Sequence, residues 1–296
     1  MERMKEWKGP ERAQSWSGEF GMSSVAGRSC GRRPRASCAE SAAGGPACPE
    51  RKLVDVVPRR FYRAEVASRL EAVTFEVADA PTVAAFWAGL LEREILTESG
   101  GALVAGDDRQ VGLRFVTSDT HQVGPRPLHL HLTSSRLADQ RRTVETALSL
   151  GGRHIDVGQA PDDAFVVLAD PGDNELCVIE PHNNFMAGTG YLGEVTCAGT
   201  RDVGLFWRDA LDWPLVWDEN QETAIQSRLG GTEVSWGGPP VEPKHGRNRQ
   251  RLDLLTADPS SEAERLVSLG ATFLADLRDG VELADPDGNE FGLRAG

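Results

Sequence analysis

Nowhere in this chain of 296 residues does an apolar run approach the roughly 20 residues that a bilayer-crossing helix needs, which argues against a helical membrane protein. Cysteine is scarce. Cys30, Cys38 and Cys48 fall in the first 50 residues, while Cys177 and Cys197 stand singly in strand-like runs. Without a C-x-x-C spacing, neither a zinc knuckle nor a thioredoxin-like pair is indicated, and a reducing, cytoplasmic setting is the simplest inference. A G-x-S-x-G nucleophile elbow and a P-loop are both missing. Positive charge is short where it would matter. Of 32 Lys and Arg and 45 Asp and Glu, residues 1–65 hold 13 and 8, leaving 19 and 37 for the rest of a chain whose net charge is −13. A folded region that acidic is a poor partner for nucleic acid or an anionic membrane surface.

The first 66 residues also lack sustained hydrophobic periodicity and are rich in Gly, Ser, Arg, Pro and Ala, the composition of a disordered tail. They contain no apolar core of the kind a secretory signal requires. Beyond them, 40% hydrophobic content and few aromatics fit two ordinary soluble domains.

What is present is repetition. Asp170-Pro171-Gly172-Asp173-Asn174-Glu175-Leu176 returns as Asp285-Pro286-Asp287-Gly288-Asn289-Glu290-Phe291. Each copy lies between short apolar runs and reads as a tight turn between strands, Pro fixing one dihedral and Gly or Asp accepting a positive φ. Ala84-Ala85-Phe86-Trp87 likewise returns as Gly204-Leu205-Phe206-Trp207, and Leu150-Gly151 as Leu269-Gly270. Equal order and spacing mark an internal duplication.

Within each copy the periods alternate. Ala72 to Val77 predicts a strand with Val73, Phe75 and Val77 on one face and Ala72, Thr74 and Glu76 on the other. Asp79 then caps a helix carrying Pro81 in its first turn and Val83, Phe86, Trp87, Leu90 and Leu91 on one stripe. Strands near 101–105 and 111–116 follow. The cycle restarts with Leu128 to Leu132, a helix from 137 to 150, a strand from Arg153 and the Asp170 hairpin. The fold class is α+β, four βαβββ modules making two domains, 67–184 and 188–296. The G-x-G-x-x-G at Gly188 to Gly193 precedes a strand instead of opening a helix, so it reads as a linker and not a dinucleotide loop. Trp207, Trp213 and Trp217 read as core and turn packing.

This ordered set resembles a tandem member of the vicinal oxygen chelate superfamily, the glyoxalase, bleomycin-resistance and extradiol-dioxygenase group. The residues that carry the likeness are the strand ending at Asp79 ahead of Phe86-Trp87, the His129-Leu130-His131-Leu132 strand, the Leu150-Gly151 helix end and the Asp170 turn leading to Glu180. The resemblance implies paired modules whose sheets curl into a cleft, helices packed outside and, in many relatives, a divalent metal inside.

Carried over by position, the resemblance implies His129 and Glu180 as ligands of a divalent metal (Zn, Ni, Mn or Fe) in the first domain, with Glu76 as the base. Strand parity adds His131, and in the second domain Arg251 and Asp253, as cleft-lining groups. Read without the family, His129 is equally a polar cleft residue bonded to a neighbour, Glu180 a solvated strand end, and Arg251 and Asp253 a mutual pair. In the first module the matching position is Ala72, which cannot ligate, and in the second domain the matching positions Leu192, Arg251 and Ala295 offer no ligand set, so no metal is expected there. Two functions follow: glyoxalase-like lyase, isomerase or dioxygenase-type chemistry on a small organic molecule in the first domain, or metal-free sequestration of such a molecule. The partner in both is a small ligand, and the chain is a monomer or homodimer.

Overall fold

The computed structural model describes residues 68–119, 126–160 and 163–296. The tail inferred for residues 1–66 and its three cysteines lie outside them. The four modules form as the periodicity predicts. The first holds β1 (Arg69–Val77), α1 (Ala80–Leu91), β2 (Ile95–Glu98), β3 (Gly101–Val104) and β4 (Gly112–Thr117). The second holds β5 (Leu128–Leu132), α2 (Leu137–Ser149), β6 (Arg153–His154), β7 (Val166–Ala169) and β8 (Glu175–Val178). The third holds β9 (Leu192–Cys197), α3 (Arg201–Leu211), β10 (Leu215–Glu219), β11 (Glu222–Gln226) and β12 (Glu233–Trp236). The fourth holds β13 (Gln250–Thr256), α4 (Pro259–Leu269), β14 (Thr272–Leu277), β15 (Gly280–Ala284) and β16 (Glu290–Ala295).

Local chemistry starts and stops the helices. Asp79 accepts from the Thr82 amide at the start of α1, and Asp258 accepts from Ser260 and Ser261 at the start of α4, which ends on left-handed Gly270. The repeated motifs then meet in space. Trp87 Nε1 donates to Asp170 Oδ2 at 2.8 Å, and Trp207 Nε1 to Asp285 Oδ2 at 3.3 Å. The other oxygen of each aspartate accepts from amides of its own turn, in which Asp173 and Gly288 take the positive φ. The aromatic pair of one module thus anchors the hairpin of the next.

Sheet composition differs from a reading in which each half of the chain forms its own sheets. One eight-stranded sheet runs β14-β15-β16-β13-β1-β4-β3-β2, and the other β10-β11-β12-β9-β5-β8-β7-β6. An outer-pair sheet therefore joins modules one and four, and an inner-pair sheet joins modules two and three, each across an antiparallel seam, β1 with β13 and β5 with β9. Any cleft over a sheet is built from both halves. The spans 67–184 and 188–296 each contribute two modules to this arrangement without enclosing one.

Helices α1 and α4 pack on the outer-pair sheet, α2 and α3 on the inner-pair sheet, and α1 touches α2 as α3 touches α4. One buried cluster includes Val73, Phe75, Trp87, Leu130, Leu132, Val195, Trp207, Trp236, Leu254 and Phe291. Alternation then leaves Thr74, Glu76, His129 and His131 on the opposite, helix-free faces.

Candidate metal centre

Two rows of side chains cross the helix-free face of the inner-pair sheet. Cross-strand register aligns Gln226, Glu233, Glu194, His131 and Cys177 in one row. The adjacent row aligns Trp217, Ala224, Ser235, Thr196 and His129 and continues, two residues before Cys177 on β8, to Glu175. Sequence alternation thus brings six polar side chains around two histidines.

The imidazoles are in contact, His129 Nε2 to His131 Nε2 at 2.9 Å. His131 Nδ1 meets Glu194 Oε2 at 2.5 Å, Thr196 Oγ1 lies 3.4 Å from the same nitrogen, and Ser235 donates to the other oxygen of Glu194. Ligand atoms of His129, His131 and Cys177 all lie within 4.8 Å of one another, and among the described residues this is the group of three or more His, Cys, Asp or Glu able to hold an ion.

Burial and charge set the protonation states. Burial, reinforced by the positive charge of His131, pushes His129 down to about 3, so its imidazole is neutral at physiological pH. Burial also opposes charge on His131, but Glu194 outweighs it and holds His131 well above the usual histidine range. Glu194 is lowered in return, the pull of His131 exceeding its own desolvation. The pair is a buried imidazolium and carboxylate, and the Nε2 proton of His131 is donated to neutral His129.

Two imidazoles and a thiol are a donor set for zinc, nickel, copper or iron. Around a tetrahedral ion, bond lengths of about 2.0–2.3 Å put ligand atoms roughly 3.3–3.6 Å apart, so a group spread over 4.8 Å would close by about 1 Å through side-chain rotation to hold one. Glu194 on Nδ1 of His131 supplies the outer carboxylate that fixes a ligating imidazole. The residues fit a metal.

Of the residues singled out in the sequence, the structure joins His129 and His131 and separates the others. Glu180 does not reach them. Leu176 and Val178 face the core, Cys177 and Ile179 the opposite side, and Glu180, in the former phase, accepts from Asn183 Nδ2 at 3.1 Å. Glu76, Arg251 and Asp253 lie on the outer-pair sheet, where Arg251 Nη1 holds Glu76 Oε1 at 2.8 Å and Arg251 Nε lies 3.6 Å from Asp253 Oδ1. Glu76 is therefore not the base of the histidine group, and Arg251 and Asp253 do pair.

Cys177, Glu194, Glu233 and Ser235 were missed. Glu194 was hidden by an irregularity: the β5 and β9 register shifts between His131 and Leu132, so Leu192 opposes Leu132 in the core while Glu194 opposes His131. A simple parity count along 192, 194 and 196 puts all three on one face, and the bulge at Gly193 breaks it.

In the outer-pair sheet a matching shift lies between Leu70 and Ala72. Register then equates Glu194, His131, Cys177 and Glu233 with Ala72, Asp253, Gly292 and Gly112. Arg114 fills this sheet's face, bonding Glu71 at 2.7 Å, Glu98 at 2.8 Å and Asp253 at 2.9 Å. A built-in guanidinium stands where the other sheet gathers ligands.

Residues 72–179 and 194–294 match the family model of the glyoxalase-like domain. The chain belongs to the glyoxalase-like family. Among solved structures it is similar to glyoxalase I from Zea mays, at 15% identity and a TM-score of 0.57, covering 77% of this chain and 92% of that one. It is also similar to a putative dioxygenase from Bacillus subtilis, at 12% identity and a TM-score of 0.51, covering 78% and 86%. No curated protein matches. At such identities the likeness is one of fold. No helix among the described residues is long and apolar enough to cross a membrane.

Proposed function

We propose that this glyoxalase-like protein acts on a small organic molecule at the helix-free face of its inner-pair sheet, with a divalent metal held by His129, His131 and Cys177. The supporting observation is the convergence of three ligand atoms within 4.8 Å beside a carboxylate that orients one of them. Bound there, the metal would supply Lewis-acid polarisation of a carbonyl or enediolate oxygen. The chain's own residues do the rest. Glu194 keeps the proton on Nδ1 of His131, whose Nε2 proton would have to leave as the metal binds, while neutral His129 offers a lone pair without first losing a proton. Phe185 and Met186, from the segment after β8, join Val167, Cys177 and Ile179 in a second apolar cluster that limits water beside the thiol.

The alternative reading, a metal-free binder, draws support from the hydrogen-bonded chain Ser235, Glu194, His131, His129, in which the two imidazoles are engaged with each other and with the carboxylate. Elemental analysis of the purified full chain separates the two. We expect near-stoichiometric metal in the wild type and at least about a ten-fold loss of metal affinity in His129→Ala, in line with losing one of three protein ligands. Wild-type protein that takes up no metal on titration with zinc, nickel, copper, manganese or iron at neutral pH overturns the metal reading.

A further inference from the structure

Two adjacent side chains of the segment after β8 touch opposite ends of the inner-pair sheet. Phe185 meets Trp217 of β10 edge-on, ring centroids 5.6 Å apart at 83°. Met186 is buried and joins Val167 of β7 with Cys177 of β8 and Ile179. Four strands, β11, β12, β9 and β5, lie between β10 and β8. In a flat sheet, at about 4.8 Å per strand, those ends would stand roughly 24 Å apart, beyond the reach of neighbouring residues. The sheet is therefore curled until its ends approach each other across the helix-free face.

Register places the histidines beneath this crossing. Trp217 stands in the row of His129, through Ala224, Ser235 and Thr196. The tip of Met186 sits over Gly193, where an added Cβ would lie 2.5 Å from its Cε, and Gly193 is one residue from the Glu194 that opposes His131. The chain from Pro181 to Gly190 thus runs over the face between these two seats. Both imidazoles are left only partly exposed.

The segment is bonded to itself. Asn183 donates to Glu180 and accepts from the Met186 amide at 3.3 Å, the Asn184 carbonyl accepts from the Ala187 amide, and the Met186 carbonyl accepts from both the amide and the hydroxyl of Thr189. Its far end is tied down, Gln110 Nε2 donating to the Thr189 carbonyl at 2.8 Å and Thr133 Oγ1 to the Gly190 carbonyl at 2.6 Å. Positive φ falls near both ends, at His182 (69°), Gly188 (87°) and Gly190 (85°). A self-bonded turn with anchored ends, seated on the sheet through Phe185 and Met186, can lift as a unit without breaking a strand pair. The indole Nε1 of Trp217 has no partner among the described residues, so ring packing is what holds Phe185 to it.

We propose that residues 181–190 form a hinged strap that opens and closes the inner-pair cleft over the histidine group, with the contact of Phe185 and Trp217 as its latch. A small ligand then reaches His129 and His131 by parting two aromatic rings, a step that exposes apolar surface and breaks no hydrogen bond between them. Closed again, the strap keeps water from the imidazoles and the Cys177 thiol during the reaction. The proposal rests on this face being the ligand face, and it does not require a metal to be bound there.

The test is carbethoxylation of the full chain with diethyl pyrocarbonate, read at His129 by peptide mass spectrometry with the exposed His154 as internal standard. Dialysis against EDTA beforehand removes any ion that would shield the same nitrogen. We expect Phe185→Ala and Trp217→Leu each to raise the His129 rate about ten-fold, Phe185→Leu about three-fold, and the double substitution no more than either alone, because one latch is lost in each case. Cys197, buried in β9, should stay unreactive to iodoacetamide in every variant. An unchanged His129 rate in both Phe185 variants overturns the proposal, as does a rise matched by alkylation of Cys197, which marks general unfolding instead of a local opening. Hydrogen exchange of the wild type tests it without any variant: the Met186 and Thr189 amides should exchange at least about 100-fold faster than that of Leu130, whose strand is paired on both sides. Equal protection at the two places also overturns it. Metal content of the undialysed protein is read separately, so that strap opening in a protein that takes up no metal sinks the metal reading and leaves the strap standing.

Discussion

Glu233 is a residue whose chemistry departs far from its type. Burial first, and the charge of Glu194 next, raise its carboxyl from 4.5 to about 8. Because its folded value is raised, folding favours the protonated form. That contribution is fully present below about pH 4.5 and is lost as pH rises through about 8. Wild-type stability should therefore fall relative to Glu233→Gln between about pH 5 and pH 8, leaving the variant with the higher Tm at pH 9, at about 2–4 °C per kcal/mol. Thermal unfolding followed across that range decides the matter, and parallel curves for the two proteins would refute it. Histidine 129 was legible in the sequence because it alternates with leucines. Glu233 was not, since its meaning depends on lying beside Glu194, 39 positions earlier, across a strand pair.

At the scale of elements, the duplicated motifs have a mechanical explanation. The Phe-Trp pair sits on a helix and the Asp-Pro turn closes a hairpin, and an indole nitrogen ties one to the other. Asp170 is fully buried, so Trp87→Phe removes a partner that no solvent can replace. We expect a loss of about 1–3 kcal/mol, read from urea unfolding midpoints, and a smaller loss for Trp207→Phe, whose bond to Asp285 is longer. Equal midpoints for wild type and Trp87→Phe would show the bond to be idle. Strands and helices were legible because their periods of 2 and 3.6 are written in the order of residues. The bulge at Gly193 was not, because an extra residue in one strand shows only against its partner.

For the molecule as a whole, the decisive fact is which modules share a sheet. The span 67–187 alone would contain modules one and two, yet β1 would lack β13 and β5 would lack β9, exposing two long edges. We expect this fragment to associate or aggregate in size-exclusion chromatography and to form a 1:1 complex of the full chain's size when mixed with 188–296. A monodisperse fragment with cooperative unfolding would contradict the pairing. The order of residues by itself determined the four modules, the strand faces of His129 and His131 and the family, all of which follow from local period and from motifs within about 100 residues. Tertiary structure alone decided that module two meets module three, and hence that His131 faces Glu194, while Glu76 goes to Arg251. The reason is physical: the edges of three similar modules are available to each one, and the choice among them is made by packing over the whole core, which no local pattern encodes.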